Sequence, residues 1–244
     1  MGRYVIMAVA VVCYFAFFAS FLYLVGFLAG LPVLPTNVDK GIDAPLAQAM
    51  AVDIGLIALF GIQHSVMARP GFKQWWTGMV HPAMERSIYC LAAAVVLAVM
   101  FAFWHPIPGQ LWSVTDPVGK GVLWALFLFG FATVFISTWL LNHFELFGLA
   151  QAWSHLRGTE MAPPRFRTPV FYRHVRHPIY LGFMLLLWAT PQMTAGHLLF
   201  AAGMTLYTLL GVRYEERDLV VQFGTIYEEY RARVGMIIPG IGKR

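Results

Sequence analysis

The sequence predicts an all-α, polytopic membrane helix bundle of five to six spans that ends in a helical hairpin. Two observations predict it. Of the 244 residues, 59% are hydrophobic and only 12% charged, and the mean hydropathy is +0.66. A soluble domain carries about 45–50% apolar and about 25% charged residues, and a chain of this size must cover its surface with polar groups. The apolar residues also stand in long unbroken runs, not in the short alternating segments of a barrel. Together these exclude a soluble globular enzyme and a disordered chain.

The elements follow in order. The first run, residues 5–31, has no charge after Arg3 and is too long for a signal-peptide core, so it reads as a retained helix. The second covers about residues 44–68 and contains Asp53, for which a structural partner role is expected, and His64. The third covers about residues 87–104 and the fourth about 118–141. The last run, residues 179–212, is interrupted at Pro191-Gln192 and Thr194-Ala195-Gly196. Proline removes a backbone hydrogen bond and marks a break. Each half is short, which predicts a hairpin: six crossings, or five plus a re-entrant pair.

Basic residues set the expected orientation. With both termini inside, 15 of the 17 Lys and Arg residues are cytoplasmic, and only Lys40 and Lys120 are outside. That split follows the positive-inside rule; the expected location is a bacterial inner membrane with both termini in the cytoplasm. The net charge of +5 is then a basic cytoplasmic face and implies no nucleic acid. Cys13 and Cys90 sit inside apolar runs with no CxxC, so neither a disulfide framework nor a metal site is expected. The whole chain reads as one membrane domain, with N-terminal spans over residues 1–142 and a ligand-binding part over residues 143–244. Its longest polar segments, 143–177 and 213–244, flank the last hairpin on the cytoplasmic side. Oligomeric state is not legible.

Three elements there can carry chemistry. Arg213-Tyr214-Glu215-Glu216-Arg217-Asp218 crowds three acids and two bases into six positions. Its plain reading is a solvated helix end with local ion pairs. Phe171-Tyr172-Arg173-His174-Val175-Arg176-His177-Pro178-Ile179-Tyr180-Leu181-Gly182 opens the hairpin. Pro178 suits the first turn of a helix, whose free N–H groups favour an anion. A positive-inside anchor with interfacial aromatics is the alternative. In Phe223-Gly224-Thr225-Ile226-Tyr227-Glu228-Glu229-Tyr230-Arg231-Ala232-Arg233-Val234, Tyr227, Tyr230 and Val234 share a helix face. That face suits either the membrane boundary or a site.

In this order and spacing, Arg-His-Pro-x-Tyr-x-Gly, the hairpin, Glu-Glu-Arg and Phe-Gly-x-x-Tyr-x-x-Tyr resemble the isoprenylcysteine carboxyl methyltransferase-like integral membrane methyltransferases. Gln63-His64-Ser65-Val66-Met67-Ala68-Arg69-Pro70 and Glu85-Arg86-Ser87-Ile88-Tyr89 resemble their NnrU-related branch. Asn142-His143-Phe144-Glu145-Leu146-Phe147-Gly148-Leu149 and Trp188-Ala189-Thr190-Pro191 resemble its members that methylate methanethiol. One departure stands out: Val170 occupies the position, two residues before Tyr172, where a glycine is expected. The resemblance implies an S-adenosylmethionine site at the cytoplasmic membrane face, built from Tyr172, His174, Val175, Arg176, His177, Tyr180, Gly182, Glu215 and Glu216. Arg176 and the helix N-terminus suit the cofactor's carboxylate, and Glu215 or Glu216 its ammonium. His174 or His177 suits ribose or adenine, and Tyr172 or Tyr180 can stack.

The implied acceptor is a small thiol, methanethiol giving dimethyl sulfide. A thiol attacks best as thiolate, and its pKa lies at or above roughly 8.5. The candidate bases are His143 and His64, with Asn142 and Glu145 as orienters. Otherwise catalysis rests on positioning. Three alternatives stay open. The same fold can serve another acceptor: a larger thiol, an amine or an isoprenylcysteine carboxylate. A membrane reductase shares a similar C-terminal pattern, although this chain is short for one. His64 and His143 can be axial haem ligands in a membrane subunit.

Overall fold

A computed structural model describes residues 2–243. Among them run α1 (Arg3–Leu28), α2 (Leu46–Ala68), α3 (Pro70–Thr77), α4 (Pro82–Phe103) and α5 (Pro117–Leu141). They are followed by α6 (His143–Leu146), α7 (Leu149–Arg157), α8 (Pro178–Trp188), α9 (Ala195–Phe223) and α10 (Thr225–Arg233). A 3-10 turn covers Val170–Arg173, and β1 (Gln110–Ser113) pairs with β2 (Gln192–Thr194). Helices α1, α2, α4, α5 and α9 are apolar and 22 to 29 residues long. At 1.5 Å per residue that is about 33–44 Å, enough for a hydrocarbon core of about 30 Å. The protein is an integral membrane protein.

The last apolar run does break where its proline stands, but its halves are unequal. Helix α8 has 11 residues and reaches only about 17 Å. The non-helical residues that follow it have partners within the protein: the Trp112 indole N–H donates to the Thr190 carbonyl at 3.1 Å, and the Val114 N–H to that of Pro191 at 2.9 Å. The pairing of β1 and β2 is a feature that the apolar run concealed.

Packing groups the chain into two units, each built from several segments. One comprises residues 2–109, 142–162 and 194–200; the other comprises 110–141, 163–193 and 201–243. In the first, α4 packs on α1 and α2, and α7 packs on α1 and α4. Ile6, Ala10, Met84 and Ala152 bury one another. At the opposite end of α1, the rings of Phe27, Phe101, Trp104 and Phe200 interlock. Asp53, fully buried, accepts the His105 backbone N–H at 3.0 Å and so pins the chain leaving α4. Gly148 has φ +90°, and a Cβ there would stand 2.6 Å from the Ser87 nitrogen. The α6–α7 connection therefore lies directly on the first turns of α4.

In the second unit α5 crosses α8 through two glycines. A Cβ on Gly182 would meet the Gly130 carbonyl at 2.6 Å, and one on Gly130 would meet the Gly182 carbonyl at 2.8 Å. Small residues let membrane helices approach closely where dispersion, not water exclusion, drives association. Val170 takes φ +36°, in the region that glycine occupies freely and a β-branched residue does not.

Two substitutions test these placements in detergent. Val170→Gly is expected to raise the thermal midpoint. It removes about 1–3 kcal/mol of backbone strain and adds only about 0.5–1 kcal/mol of glycine entropy. Gly148→Ala is expected to lower it, by at least the ~1–2 kcal/mol of a left-handed alanine, with the Ser87 clash in addition. An unchanged midpoint in either variant refutes the corresponding geometry.

Candidate active site

In the second unit the chain leaves the 3-10 turn, runs extended to Pro178 and enters α8 there. Along this stretch the Arg176 and His177 N–H groups donate to the carbonyls of Gly235 and Met236, at 2.9 and 3.1 Å. Val175, buried, forms a parallel bridge with Gly235. The segment after α10 is thereby stitched to the entrance of α8.

Arg176 completes the stitch. Its side chain is fully buried. Nε and Nη2 lie 2.7 Å from Glu216 Oε1. Nη1 donates to the carbonyls of Arg231 and Val234, and Nη2 to that of Gly242 at 3.0 Å. All five guanidinium N–H groups are thus engaged within the chain. Glu216 is equally committed, because His177 Nε2 also lies 3.3 Å from the same oxygen.

Glu215 points elsewhere, since neighbouring helical residues diverge by about 100° around the axis. Its Oε2 accepts the Tyr180 hydroxyl at 2.6 Å and lies 3.7 Å from His177 Nδ1. The side chain is 43% exposed, against 6% for Glu216. Around it stand phenols. Tyr172 and Tyr227 are buried, and neither hydroxyl has a hydrogen-bond partner among the described residues. The same holds for Arg231 Nε. Burial first, and the Glu215 charge next, push the Tyr172 phenol far above its ordinary value. Burial likewise raises Tyr227, with Glu216 and Glu215 adding to the shift. Burial also brings Tyr230 to about 12. All three remain neutral donors at any physiological pH. Tyr230 donates to the Tyr172 carbonyl, and Phe166 packs on Tyr227 and Tyr230.

Of the nine residues expected here, the structure gathers Tyr172, Val175, Arg176, His177, Tyr180, Glu215 and Glu216. His174 is exposed at the end of the turn, and Gly182 is spent on the α5 crossing. The aromatic face of α10 turns inward, so Tyr227 and Tyr230 belong to the cluster and not to a membrane boundary. Their i, i+3 spacing was visible in the sequence; the direction of the face was not.

The acceptor-side candidates lie in the first unit. The His64 ring stacks on Phe60 at 5.2 Å and lies 4.8 Å from the Tyr89 ring. Tyr89, Cys90 and Phe147 form one buried cluster, lined by Tyr14, Phe17, Met67, Ala68 and Leu146. The His143 ring lies 4.9 Å from Phe147. The three N-terminal motifs therefore converge on one aromatic cluster. Arg86 ties it together: Nε donates to the Leu146 carbonyl at 2.7 Å, and the guanidinium stands 5.1 Å over Tyr89. Asn142, at φ +99°, caps the Glu145 N–H, and its Nδ2 donates to Glu145 Oε2 at 2.7 Å. These two expected orienters bond each other. The hydroxyl found against His143 Nε2, at 2.9 Å, belongs to Tyr14, 129 residues away and marked by no motif. Desolvation holds His143 below the usual histidine value.

The family model described as "NnrU protein" matches residues 54–237. The chain is 48% identical to methanethiol S-methyltransferase 1 of Bradyrhizobium diazoefficiens, over 97% of this chain and 83% of that one. It is 47% identical to methanethiol S-methyltransferase of Mycobacterium tuberculosis, over 98% of each. It is 43% identical to that of Crocosphaera subtropica, over 100% of this chain and 95% of that one. No solved structure matches. With motifs spread over both units and a match covering most of its length, the chain belongs to the NnrU protein family.

Proposed function

We propose that this protein methylates methanethiol with S-adenosylmethionine, giving dimethyl sulfide, at the cytoplasmic face of the bacterial plasma membrane with both termini in the cytoplasm. The observation that carries the reading is the cluster around Glu215: a partly exposed carboxylate beside buried neutral phenols and donors left without partners. A buried polar atom without a partner is costly, and here a ligand with complementary groups satisfies it. The names of the relatives supply the acceptor.

The residues present fit the cofactor. When bound, it supplies an electrophilic methyl group on a cationic sulfur. Glu215 takes its ammonium and stabilises its positive charge. Arg231 Nε and the Tyr172 hydroxyl are donors for its carboxylate or ribose, and Tyr227 offers a further hydroxyl. Tyr180 and His177, whose rings stack at 5.4 Å, form a surface for the adenine. Arg176 and Glu216 hold these groups in place; Val175 and His177 fix the entrance of α8.

On the acceptor side His143 serves as the thiol's base, and its lowered pKa keeps it neutral and able to accept at pH 7. His64 belongs to the same cluster. The haem alternative requires His143 Nε2 as a ligand, and Tyr14 engages that atom.

Labelled S-adenosylmethionine and methanethiol, incubated with the purified protein, are expected to give labelled dimethyl sulfide in the headspace. No labelled product from methanethiol, with turnover of an amine or carboxylate instead, refutes the acceptor. Glu215→Gln is expected to weaken cofactor binding about 10–100-fold, the loss of one charge-assisted bond, with an unchanged thermal midpoint. Glu216→Gln is expected to lower that midpoint, because it strands a buried guanidinium, a loss of about 3–5 kcal/mol. The opposite pattern, by calorimetry and thermal melts, overturns this division. A reporter fused after residue 244 is expected to be active only in the cytoplasm.

A further inference from the structure

We propose that Tyr14 and His143 form a proton relay in which the Tyr14 hydroxyl is the member that meets the thiol. The proposal deepens the thiol methylation put forward above and rests on it. It starts from access. His143 is only 3% exposed, boxed by Tyr14, Phe144 and Phe147 at centroid distances of 5.7, 5.6 and 4.9 Å. Tyr14 is half-buried, and its hydroxyl lies 2.9 Å from His143 Nε2. It is the more accessible end of the pair.

The chemistry of the two groups suits that order. A phenol is too weak a base to hold a thiol's proton, but it can accept that proton while passing its own to a better base. An imidazole kept neutral by desolvation is that base. In the step, the thiol S–H bond breaks as a new Tyr14 O–H bond forms. The original Tyr14 O–H bond breaks as an Nε2–H bond forms on His143. The products are a thiolate, a neutral phenol and an imidazolium. The thiolate's electron pair then forms the new S–CH3 bond, the methyl's bond to the donor sulfur breaks, and the imidazolium returns its Nε2 proton to Tyr14 as the Tyr14 hydroxyl gives one up to solvent. One proton is released per turnover.

Helix α4 contributes Arg86, Tyr89 and Cys90 to the surrounding cluster, α2 contributes His64, and α6 contributes Glu145, whose carboxylate Asn142 binds.

The test is Tyr14→Phe, which deletes one oxygen and keeps the ring that packs on Phe18 and Phe147. With methanethiol at pH 7, turnover is expected to fall by about 10²-fold, the usual value of general-base help. Cofactor affinity by calorimetry is expected to stay unchanged. The wild-type rate should be flat from about pH 7 upward. The variant's rate should climb about tenfold per unit toward the thiol's own pKa, at or above roughly 8.5, as ionised thiol replaces the relay. His143→Gln should show the same profile, and the double variant should be no slower than either. In histidine-15N-labelled protein without any methyl donor, the His143 Nε2 signal should move in Tyr14→Phe. An active wild type whose Tyr14→Phe variant stays within about threefold at every pH overturns the relay alone. A wild type that binds the cofactor yet methylates no thiol overturns the function, and the relay with it.

Discussion

The second unit depends on one buried charge. The Arg176 guanidinium is stabilised only because every N–H has an acceptor: the Glu216 carboxylate and three carbonyls from the segment that follows α9. A buried ion pair yields little net stability against a hydrophobic equivalent, but removing one partner is severe. Its value here is geometric. One side chain fixes the entrance of α8, the end of α9, the last turn of α10 and the terminal loop against one another. With Glu216 held there, the next residue, Glu215, is turned about 100° away toward Tyr180 and partial exposure. The two acids look interchangeable in the sequence and have different surroundings in the fold.

Close backbone approach sets the frame around that charge. Gly130 and Gly182 bring α5 and α8 together without side chains between them. The His177-to-Gly182 stretch therefore starts α8 at a fixed position. The strained φ of Val170 lies at the other end of the same segment, before Tyr172. The chain bends there as a glycine would, and the buried Tyr172, bonded through its carbonyl to Tyr230, fixes the bend from one side.

The first unit solves a different problem, that of holding polar groups among apolar helices. Arg86 is stabilised by a carbonyl and a ring face. Asp53 is held by a backbone N–H, and His143 by a tyrosine. Each of these three side chains has a partner from a distant part of the chain, as expected where water is scarce. These pairings make the aromatic cluster specific instead of merely greasy.

Composition and run length determined the class of this protein and the four N-terminal spans, because helices in lipid must be long, apolar and internally bonded. Proline positions determined the breaks at residues 178 and 191, through lost donors. Motif order determined which segments meet, since residues 172–182 and 215–216 do share a cluster. Tertiary structure alone decided the rest. It divided Glu215 from Glu216, turned the α10 tyrosines inward, grouped α5 with α8 and α7 with α1, and placed Tyr14 on His143. The reason is physical: hydropathy and spacing describe a helix one residue at a time. The direction in which a buried donor points depends on an acceptor that lies tens of residues away and leaves no periodic trace.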